Sequence, residues 1–337
     1  MSDKTMKIIL SVLTVILLAL IVGLVALKGS SVKADLNKLA LRIGELRQYQ
    51  TMNRADVNAM MEKAFARVGY NVVSATEDNL YPDTAADAGV NLYLRGYGPF
   101  NEVKTNKKAV NVIYIRSYDS LFEEELKVFD GVATASRDFY NYLLGAGYAT
   151  AYVPEMTDPS VFYPAPDPKL ERNLLYVGDN ERPSPAIAAA VEAGLPLEIY
   201  GRFWVGNIDD GFVKGEYIHD NDLGAYFSSA KINLVNITEQ ESQFGIIPSR
   251  VYDIAASKGF MIAPYNKEIE AVFGDAIPMF KNADELKALY EQYINDPKAR
   301  AAKAEKAYKI AVSEYNADMF VQRINGLVEF LINEKKL

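Results

Sequence analysis

Four residues in the second half of the chain have the types and spacing of a phosphate site. Gly245 lies in a loop, Ser249 is a typical helix-start residue, and Arg250 follows in the first turn of an apolar-periodic helix. Unpaired N–H groups and the positive dipole end of a helix bind phosphate, and Arg250 can reach the same anion. Asp253, one turn further on, can accept a hydrogen bond from a sugar hydroxyl. The stretch therefore suits the diphosphate of a nucleotide sugar.

The same spacing also fits an ordinary helix–strand unit that holds no ligand. In that interpretation Gly259 ends the helix as a C-cap, and Arg250 and Asp253 form a surface pair one turn apart. The spacing alone favours this simpler interpretation.

Composition restricts the kinds of site that the chain can carry. Its 337 residues, 50% hydrophobic and 24% charged, predict two globular domains at about 150 residues each. The net charge of −8 provides no general basic field, so we expect no nucleic-acid partner. The chain has no cysteine, which excludes disulfides, thiolate metal sites and a cysteine nucleophile. The single histidine, His219, excludes multi-histidine metal sites and lies in a polar run that is typical of a solvated loop.

An uncharged apolar run at residues 8–27 is long enough to cross a membrane. About 20 residues at 1.5 Å each span a hydrocarbon core of roughly 30 Å. The competing interpretation is a cleaved signal peptide, since residues 32–34 resemble a cleavage site, but its apolar region is usually only about 7 to 15 residues long. Five lysines and arginines follow the run within residues 28–47 and two lysines precede it. The predicted protein is thus single-pass in the cell membrane, with its body on the cytoplasmic face.

Short buried-looking strands alternate with helices along the rest of the chain. Such alternation predicts a parallel sheet covered on both faces. The strands of the first unit are expected at 39–43, 70–74, 90–94, 109–115 and 132–135, with helices at 55–68, 121–129 and 136–144, the last capped by Ser136. Five prolines within residues 152–168 mark a connector. A second unit has strands at 174–177, 198–200 and 232–235, and three helices end the chain at 283–295, 297–315 and 319–332.

The predicted fold class is therefore α/β, with two Rossmann-like domains preceded by one N-terminal transmembrane helix. We place the anchor, or signal segment, and a short linker at residues 1–34 and the first domain at 35–157. The second domain takes residues 158–337, and its final helix returns to the first domain.

Eight sequence pieces, in their order and spacing, carry a resemblance to a known family. They are LRG at 94–96, VIYIRSYD at 112–119, FDGVATAS at 129–136, TDPSVFYP at 157–164, LYVGDN at 175–180, YGRFW at 200–204, GEYI at 215–218 and the whole of 245–259. Over residues 39–332 the chain resembles the two-domain GT-B glycosyltransferases, and within them the spore-maturation-protein-like (CgeB-like) branch. The resemblance implies that the C-terminal domain binds a nucleotide sugar and that the acceptor lies across the cleft, against the N-terminal domain.

The resemblance also assigns roles to individual residues. It implies that Gly245, Ser249 and Arg250 contact the diphosphate and that Asp253 contacts ribose or sugar hydroxyls. Two further groups are implied, each with a plain alternative. Gly178, Asn180 and Arg182 would line the same cleft or form a polar turn, and Tyr217 and Ile218 would flank the nucleobase or belong to the rim.

The chain departs from the family pattern at two places that concern catalysis. Residues 117–119 read SYD where the family has a histidine, and residues 236–238 read NIT where the branch has a run similar to Asp-His-Trp. The remaining candidates for a general base are Asp119 and Glu45, both expected in loops after first-domain strands. We expect no cofactor and no metal, because the chain has no Asp-x-Asp motif and a helix dipole with cationic side chains can stabilise the leaving diphosphate.

Three functions remain open at this point. The first is a membrane-anchored glycosyltransferase whose partners are a nucleotide sugar and a glycan, lipid or protein acceptor of the cell envelope. The second is an inactive relative that serves as a binding or scaffold subunit of a glycan assembly system. The third is a bilobed extracytoplasmic solute-binding protein, which the single predicted connector disfavours because such proteins usually cross between lobes more than once.

Overall fold

The computed structural model describes residues 45–50, 55–74, 89–95, 105, 108–116, 123–180 and 184–335. The predicted membrane span at 8–27 and the predicted first strand at 39–43 lie outside these residues. Within the described ranges, no helix has both the length and the apolar character required to cross a bilayer. The N-terminal transmembrane helix therefore stays a prediction.

The first domain is built on a six-stranded parallel sheet. Its strands are β1 (Glu45–Gln50), β2 (Asn71–Ser74), β3 (Val90–Arg95), β4 (Val110–Ile115), β5 (Gly131–Thr134) and β6 (Thr150–Tyr152), in the order β2-β1-β3-β4-β5-β6. Helices α1 (Ala55–Arg67), α2 (Glu123–Leu126) and α3 (Arg137–Gly145) alternate with them. Every residue of β3, β4 and β5 is buried, as their near-continuous apolar sequences require in a sheet covered on both faces.

The second domain has another six-stranded parallel sheet, whose strand order reverses in the middle. Its strands are β7 (Leu174–Val177), β8 (Leu197–Tyr200), β9 (Val213–Gly215), β10 (Asn233–Leu234), β11 (Met261–Pro264) and β12 (Met279–Phe280), in the order β12-β11-β10-β7-β8-β9. The chain winds outward from β7 to β9, then returns to the other side of β7 and winds outward again. This order is that of doubly wound dinucleotide-binding sheets, with the reversal between β7 and β10.

Eight helices accompany this sheet in the described part of the chain. They are α4 (Pro185–Glu192), α5 (Asp220–Ser229), α6 (Glu239–Gln243), α7 (Ser249–Ala256), α8 (Lys267–Phe273), α9 (Ala283–Ile294), α10 (Pro297–Glu314) and α11 (Ala317–Lys335). The last of them, α11, packs on the first domain. Its buried residues Phe320, Ile324 and Val328 belong to the same apolar cluster as Phe65 and Tyr114. Burial of each such side chain is worth about 1.5 to 3 kcal/mol, which holds the chain's last helix on the opposite domain.

The end of α7 differs in detail from the sequence-based interpretation of Gly259 as its cap. The residue in the left-handed conformation is Lys258, with φ of 59°. Its N–H donates to Ala255 O at 2.9 Å, and the N–H of Gly259 donates to Ile254 O at 2.9 Å, which is a Schellman ending. Gly259 is required for another reason. A Cβ at that position would lie 2.5 Å from Phe227 O in α5.

The α/β fold with two domains and parallel sheets is thus confirmed. Ser136 is the N-cap of α3, as predicted, and its hydroxyl accepts from Phe139 N–H at 3.0 Å. The three predicted C-terminal helices agree with α9, α10 and α11 to within three residues at each end.

Candidate functional site

The carboxyl edges of the two sheets face each other. Helix α3 follows β5 in the first domain, α8 follows β11 in the second, and their first turns are joined by ion pairs. Lys267 Nζ lies 2.6 Å from Asp138 Oδ2, and Arg137 Nε lies 2.9 Å from Glu268 Oε2. Since all carboxyl ends of a parallel sheet share one edge, the crevice between the domains is bounded by both carboxyl edges. Ligands of open α/β sheets bind in such crevices.

The strand-order reversal between β7 and β10 brings several polar groups together. Asn236, after β10, accepts from the N–H of Ala186 in the first turn of α4 at 3.2 Å. Tyr176, in β7, makes a side-chain hydrogen bond with Ser184. Burial raises the pKa of Tyr176 to about 12, while the positive charge of Arg250 acts in the opposite direction. The guanidinium of Arg250 therefore lies near this end of β7.

The loops that leave β7 and β8 are packed tightly against each other. Trp204 Nε1 donates to Gly178 O at 2.7 Å, and Gly178 N–H donates to Tyr200 O at 2.9 Å. A Cβ on Gly201 would lie only 2.0 Å from Gly178 O, and a Cβ on Gly178 would lie 2.7 Å from Tyr176 Oη. The predicted site residue Gly178 is thus at the crevice, where the missing Cβ of Gly201 permits the close approach to its carbonyl and its own missing Cβ leaves room for the Tyr176 hydroxyl.

Beyond the two glycines the same loops continue to pair. The Asp179 carboxylate accepts from Arg202 N–H at 2.7 Å and from its Nε at 3.0 Å. Asn180, another predicted site residue, donates its N–H to Arg202 O and its Nδ2 to Phe203 O, at 3.0 and 3.1 Å. Part of the hydrogen-bonding capacity of Asn180 is therefore used to shape the rim of the crevice.

Phe203 is a rim residue that the sequence-based prediction missed. It has a left-handed backbone, with φ of 66°, and it is 57% exposed. For a residue with a Cβ this conformation costs roughly 1 to 2 kcal/mol, and such strain concentrates at functional sites. Side-chain amides of Asn180 and Asn207 both donate to its carbonyl at 3.1 Å and fix the turn. The sequence signal that could have identified this rim residue is the aromatic pair Phe203 and Trp204, which comes directly after β8 and Gly201.

The N-terminus of α7 is the part of the crevice best suited to an anion. Pro248 is its N-cap and provides no side-chain cap for the first N–H groups. Ser249, a predicted contact of the diphosphate, is the first residue of the helix and is half-buried. The side chain of Arg250 is 34% exposed, with its guanidinium 5.1 Å above the ring of Phe227. A cation and uncapped backbone donors thus occur together.

Asp253 lies in the seam between the domains, and not on the open crevice face predicted for it. Its side chain is nearly buried, and Oδ1 accepts from Thr157 Oγ1 at 2.9 Å. Thr157 belongs to the connector and donates its own N–H to Tyr315 O at 2.9 Å. The other carboxylate oxygen of Asp253 is 4.0 Å from Arg250 Nη1. Asp253 therefore links α7 to the connector, which is a structural role that no local sequence signal indicated.

Gly245 adopts the left-handed conformation, with φ of 61°, in a position between the two domains. A Cβ there would lie 3.2 Å from Glu268 Cγ and 3.3 Å from Asp138 Oδ2. The nearest side chains come from both domains, and each belongs to one of the two ion pairs that join α3 to α8. Gly245 thus shapes the loop that leads to α7, and its contact with the diphosphate stays a prediction.

The two residues predicted at the nucleobase differ in exposure. Tyr217 is 61% exposed at the rim, with its ring edge-on to His219 at 5.3 Å. Ile218 is buried in the apolar cluster that includes Leu223 and Phe227, so only its backbone can face a base.

Three predicted residues require separate comment. Arg182 and Asp119 lie outside the described residues. The expected location of Glu45 is wrong, because it is the first residue of β1 and does not follow a strand. It therefore lies at the amino edge of the first sheet, opposite to the crevice, which does not suit a catalytic base. A polar strand such as ELRQYQ is hard to recognise from sequence, and the more apolar neighbouring segment at 39–43 was preferred.

Comparison with known proteins points in the same direction as the geometry. Residues 182–326 match a family described as glycosyl transferase-like. No curated protein sequence matches the chain. Among solved structures, sucrose-phosphate synthase from Thermosynechococcus elongatus superposes with a TM-score of 0.63 at 13% identity, over 86% of this chain and 100% of that one.

Two further structures share the arrangement. The Anabaena protein HepE, solved with UDP and glucose, gives a TM-score of 0.61 at 11% identity, over 86% of this chain and 100% of its own. A DNA-modifying beta-glucosyltransferase that uses uridine diphosphoglucose gives a TM-score of 0.57 at 13% identity, over 85% of this chain and 99% of its own. At these identities the likeness establishes the fold alone. The chain thus has the two-domain GT-B fold, and the family match over 182–326 together with this fold bears out the predicted class, a glycosyltransferase.

Proposed function

We propose that the protein is a GT-B glycosyltransferase of the CgeB-like branch. It is anchored in the cell membrane by residues 8–27, has its body on the cytoplasmic face, and transfers a sugar from a nucleotide sugar to a glycan, lipid or protein acceptor of the cell envelope. The observation that carries the proposal is the N-terminus of α7. Uncapped backbone donors and the guanidinium of Arg250 meet there, in a crevice bounded by the carboxyl edges of both sheets.

The donor's diphosphate binds at this helix end. The helix dipole and the Arg250 charge stabilise the negative charge that develops on the leaving nucleoside diphosphate, so transfer requires no metal. Metal independence is proposed from the donors that are present at α7, which are the helix N-terminus and the Arg250 cation. The nucleoside extends toward the rim at Tyr217 and Phe203.

The acceptor binds on the first domain, where Asp119 is the proposed general base. A base must lie within hydrogen-bond reach of the acceptor hydroxyl. Asp119 is four positions after Ile115, where β4 ends at the carboxyl edge of the first sheet. Glu45 is not carried forward, since it begins β1 at the other edge of the sheet.

The comparisons suggest which donor to test first. HepE was solved with UDP, and the beta-glucosyltransferase was solved with uridine diphosphoglucose, so uridine nucleotides have priority. The DNA acceptor of the latter enzyme is not carried over, because a chain with a net charge of −8 has no general field to attract a polyanion.

One observation favours the second candidate, an inactive scaffold subunit. Asn236 stands near the position where the branch has acidic and imidazole side chains, and its amide oxygen is used to hold the first turn of α4. A structural use of that position is what a non-catalytic relative would retain.

Calorimetry on the full-length protein in detergent tests the proposal, with UDP, GDP, CDP and dTDP as ligands. Arg250→Ala removes a charge-assisted contact worth about 1.5 to 3 kcal/mol, so nucleotide affinity should fall by one to two decades. Arg67→Ala is the matched control. Arg67 is an arginine of α1 in the first domain, and its exposed ion pair with Asp318 of α11 lies outside the proposed donor site. Absence of nucleotide binding in the wild type would favour the scaffold. Affinity unchanged by Arg250→Ala would place the phosphate site elsewhere.

The anchor has its own test. The mature protein should keep its N-terminus and remain in the membrane fraction after a high-salt wash. Recovery of a soluble product that starts at Asp35 would instead identify residues 1–34 as a signal segment.

A further inference from the structure

An aromatic side chain of the second domain packs into the apolar core of the first. Phe244, in the loop between α6 and α7, is the residue concerned. It packs against a cluster on the face of the first sheet that α2 and α3 cover, made of Tyr93, Ile113, Ile115, Leu126, Val132, Phe139 and Leu143. A ring in this position makes the loop part of both domains.

The backbone of the same residue is also held by the first domain. Phe244 O accepts a short hydrogen bond from Ser136 Oγ, and the same hydroxyl caps α3 by accepting from Phe139 N–H. Next along the chain, Gly245 lies against the side chains of Asp138 in the first domain and Glu268 in the second. The loop is therefore held at the helix start that follows β5.

The loop leads directly to the donor end of α7. Only four residues separate Phe244 from Ser249, where α7 begins. Between them, the N–H of Ile246 donates to Glu241 O at 2.9 Å, and its carbonyl accepts from the buried Asn266 Nδ2 at 3.4 Å. Phe244 and the first turn of α7 thus belong to one short, hydrogen-bonded segment of the chain.

We propose that Phe244 is a positioning residue, through which the first domain sets the N-terminus of α7 and hence donor affinity. Phe244 itself does not contact the donor. The inference rests on the proposed function, because it assigns the diphosphate to α7. It implies that donor binding and the arrangement of the acceptor domain are coupled through one ring.

The first test compares nucleotide affinity in three variants of the full-length protein. If Phe244→Ala leaves the loop correctly seated in only about a tenth of the molecules, the apparent Kd for the nucleotide should rise about tenfold. Phe244→Leu keeps most of the apolar volume and should restore affinity to within about threefold of wild type. Phe330→Ala is the matched control, because Phe330 is an exposed phenylalanine on α11 and its loss should leave Kd unchanged.

The second test needs no nucleotide and separates this inference from the proposed function. Hydrogen exchange on the nucleotide-free protein should become faster in Phe244→Ala at the capped first turn of α3 and at the intrahelical amides of α7, and remain unchanged in α10. If the wild type binds no nucleotide, the proposed function fails, and the exchange result alone decides whether Phe244 positions α7. Unchanged exchange at α7 in Phe244→Ala would overturn the inference. If the wild type binds nucleotide, faster exchange in Phe244→Ala with a Kd equal to that of wild type would overturn it as well.

Discussion

Replacement of Gly201 by alanine should disrupt the crevice end of the second sheet. The added Cβ would lie 2.0 Å from Gly178 O and 2.6 Å from Gly178 C. Both are backbone atoms, so no side chain can rotate away. To reach even the 3.0 Å that real Cβ contacts require, the two loops must separate by 1.0 Å (3.0 minus 2.0). That separation lengthens the bonds from Gly178 N–H to Tyr200 O and from Trp204 Nε1 to Gly178 O, now 2.9 and 2.7 Å, beyond useful range.

The expected loss of stability follows from these contacts. Two hydrogen bonds at about 0.5 to 1.5 kcal/mol each, together with roughly 1 to 3 kcal/mol of overpacking strain, give a loss of about 2 to 6 kcal/mol. Urea unfolding followed by fluorescence measures this free energy. Nucleotide affinity should also fall, because the distorted loops form the rim of the crevice.

A matched glycine provides the control. Gly326 is exposed on α11, and a Cβ there would meet no atom within 4 Å. Gly326→Ala should therefore stabilise the protein by about 0.5 to 1 kcal/mol through helix propensity. We therefore expect the free energy of unfolding to fall in Gly201→Ala and to rise in Gly326→Ala. An unfolding free energy for Gly201→Ala equal to that of wild type would refute the close approach of the two loops.

Three further substitutions probe the seam, the rim and the buried end of β7. Thr157→Val removes the hydroxyl that donates to Asp253 and should lower the free energy of unfolding by about 1 to 3 kcal/mol in denaturant titration, with Kd as a second readout. Phe203→Gly relieves the left-handed strain and should raise thermal stability by about 1 kcal/mol while weakening nucleotide binding; unchanged affinity would exclude the ring from the site. Tyr176→Phe should alter the alkaline stability profile. The raised pKa of Tyr176 contributes stability that is present below its ordinary value of 10.0 and is lost as pH rises through about 12. Without it, the decline of unfolding free energy in that window should be shallower by up to about 1.4 kcal/mol per pH unit.

The elements that sequence predicts well are those with strong local signals. The apolar periodicity of α11 identified its buried face, including Phe320, Ile324 and Val328, and Ser136 was recognisable as a cap from its type and place. Continuous apolar runs identified β3 and β4, because strands of a covered parallel sheet are buried on both faces. Two parallel sheets follow from the alternation of such elements.

The misplaced residues are those whose surroundings come from distant segments. Glu45 begins a polar strand that belongs to the sheet only because β2 and β3 pair with it on either side. Asp253 is 96 positions away from the threonine that donates to it. Phe244 is partly buried against strands and two helices that come more than 90 residues earlier in the chain. No local pattern contains such contacts, and tertiary packing decides them.

Arg250 and Asp253 show how contacts from distant segments give different surroundings to two neighbouring residues of the site. The two residues are one turn apart on α7, yet one carries a partly exposed cation near β7 and the other is joined to the connector. With Phe244 held by the first domain at the start of the helix, α7 is attached at both its donor end and its middle to parts outside the second domain. A sequence motif can therefore indicate a helix as the proposed site of a diphosphate. The contacts that fix the position of that helix come from segments outside the motif.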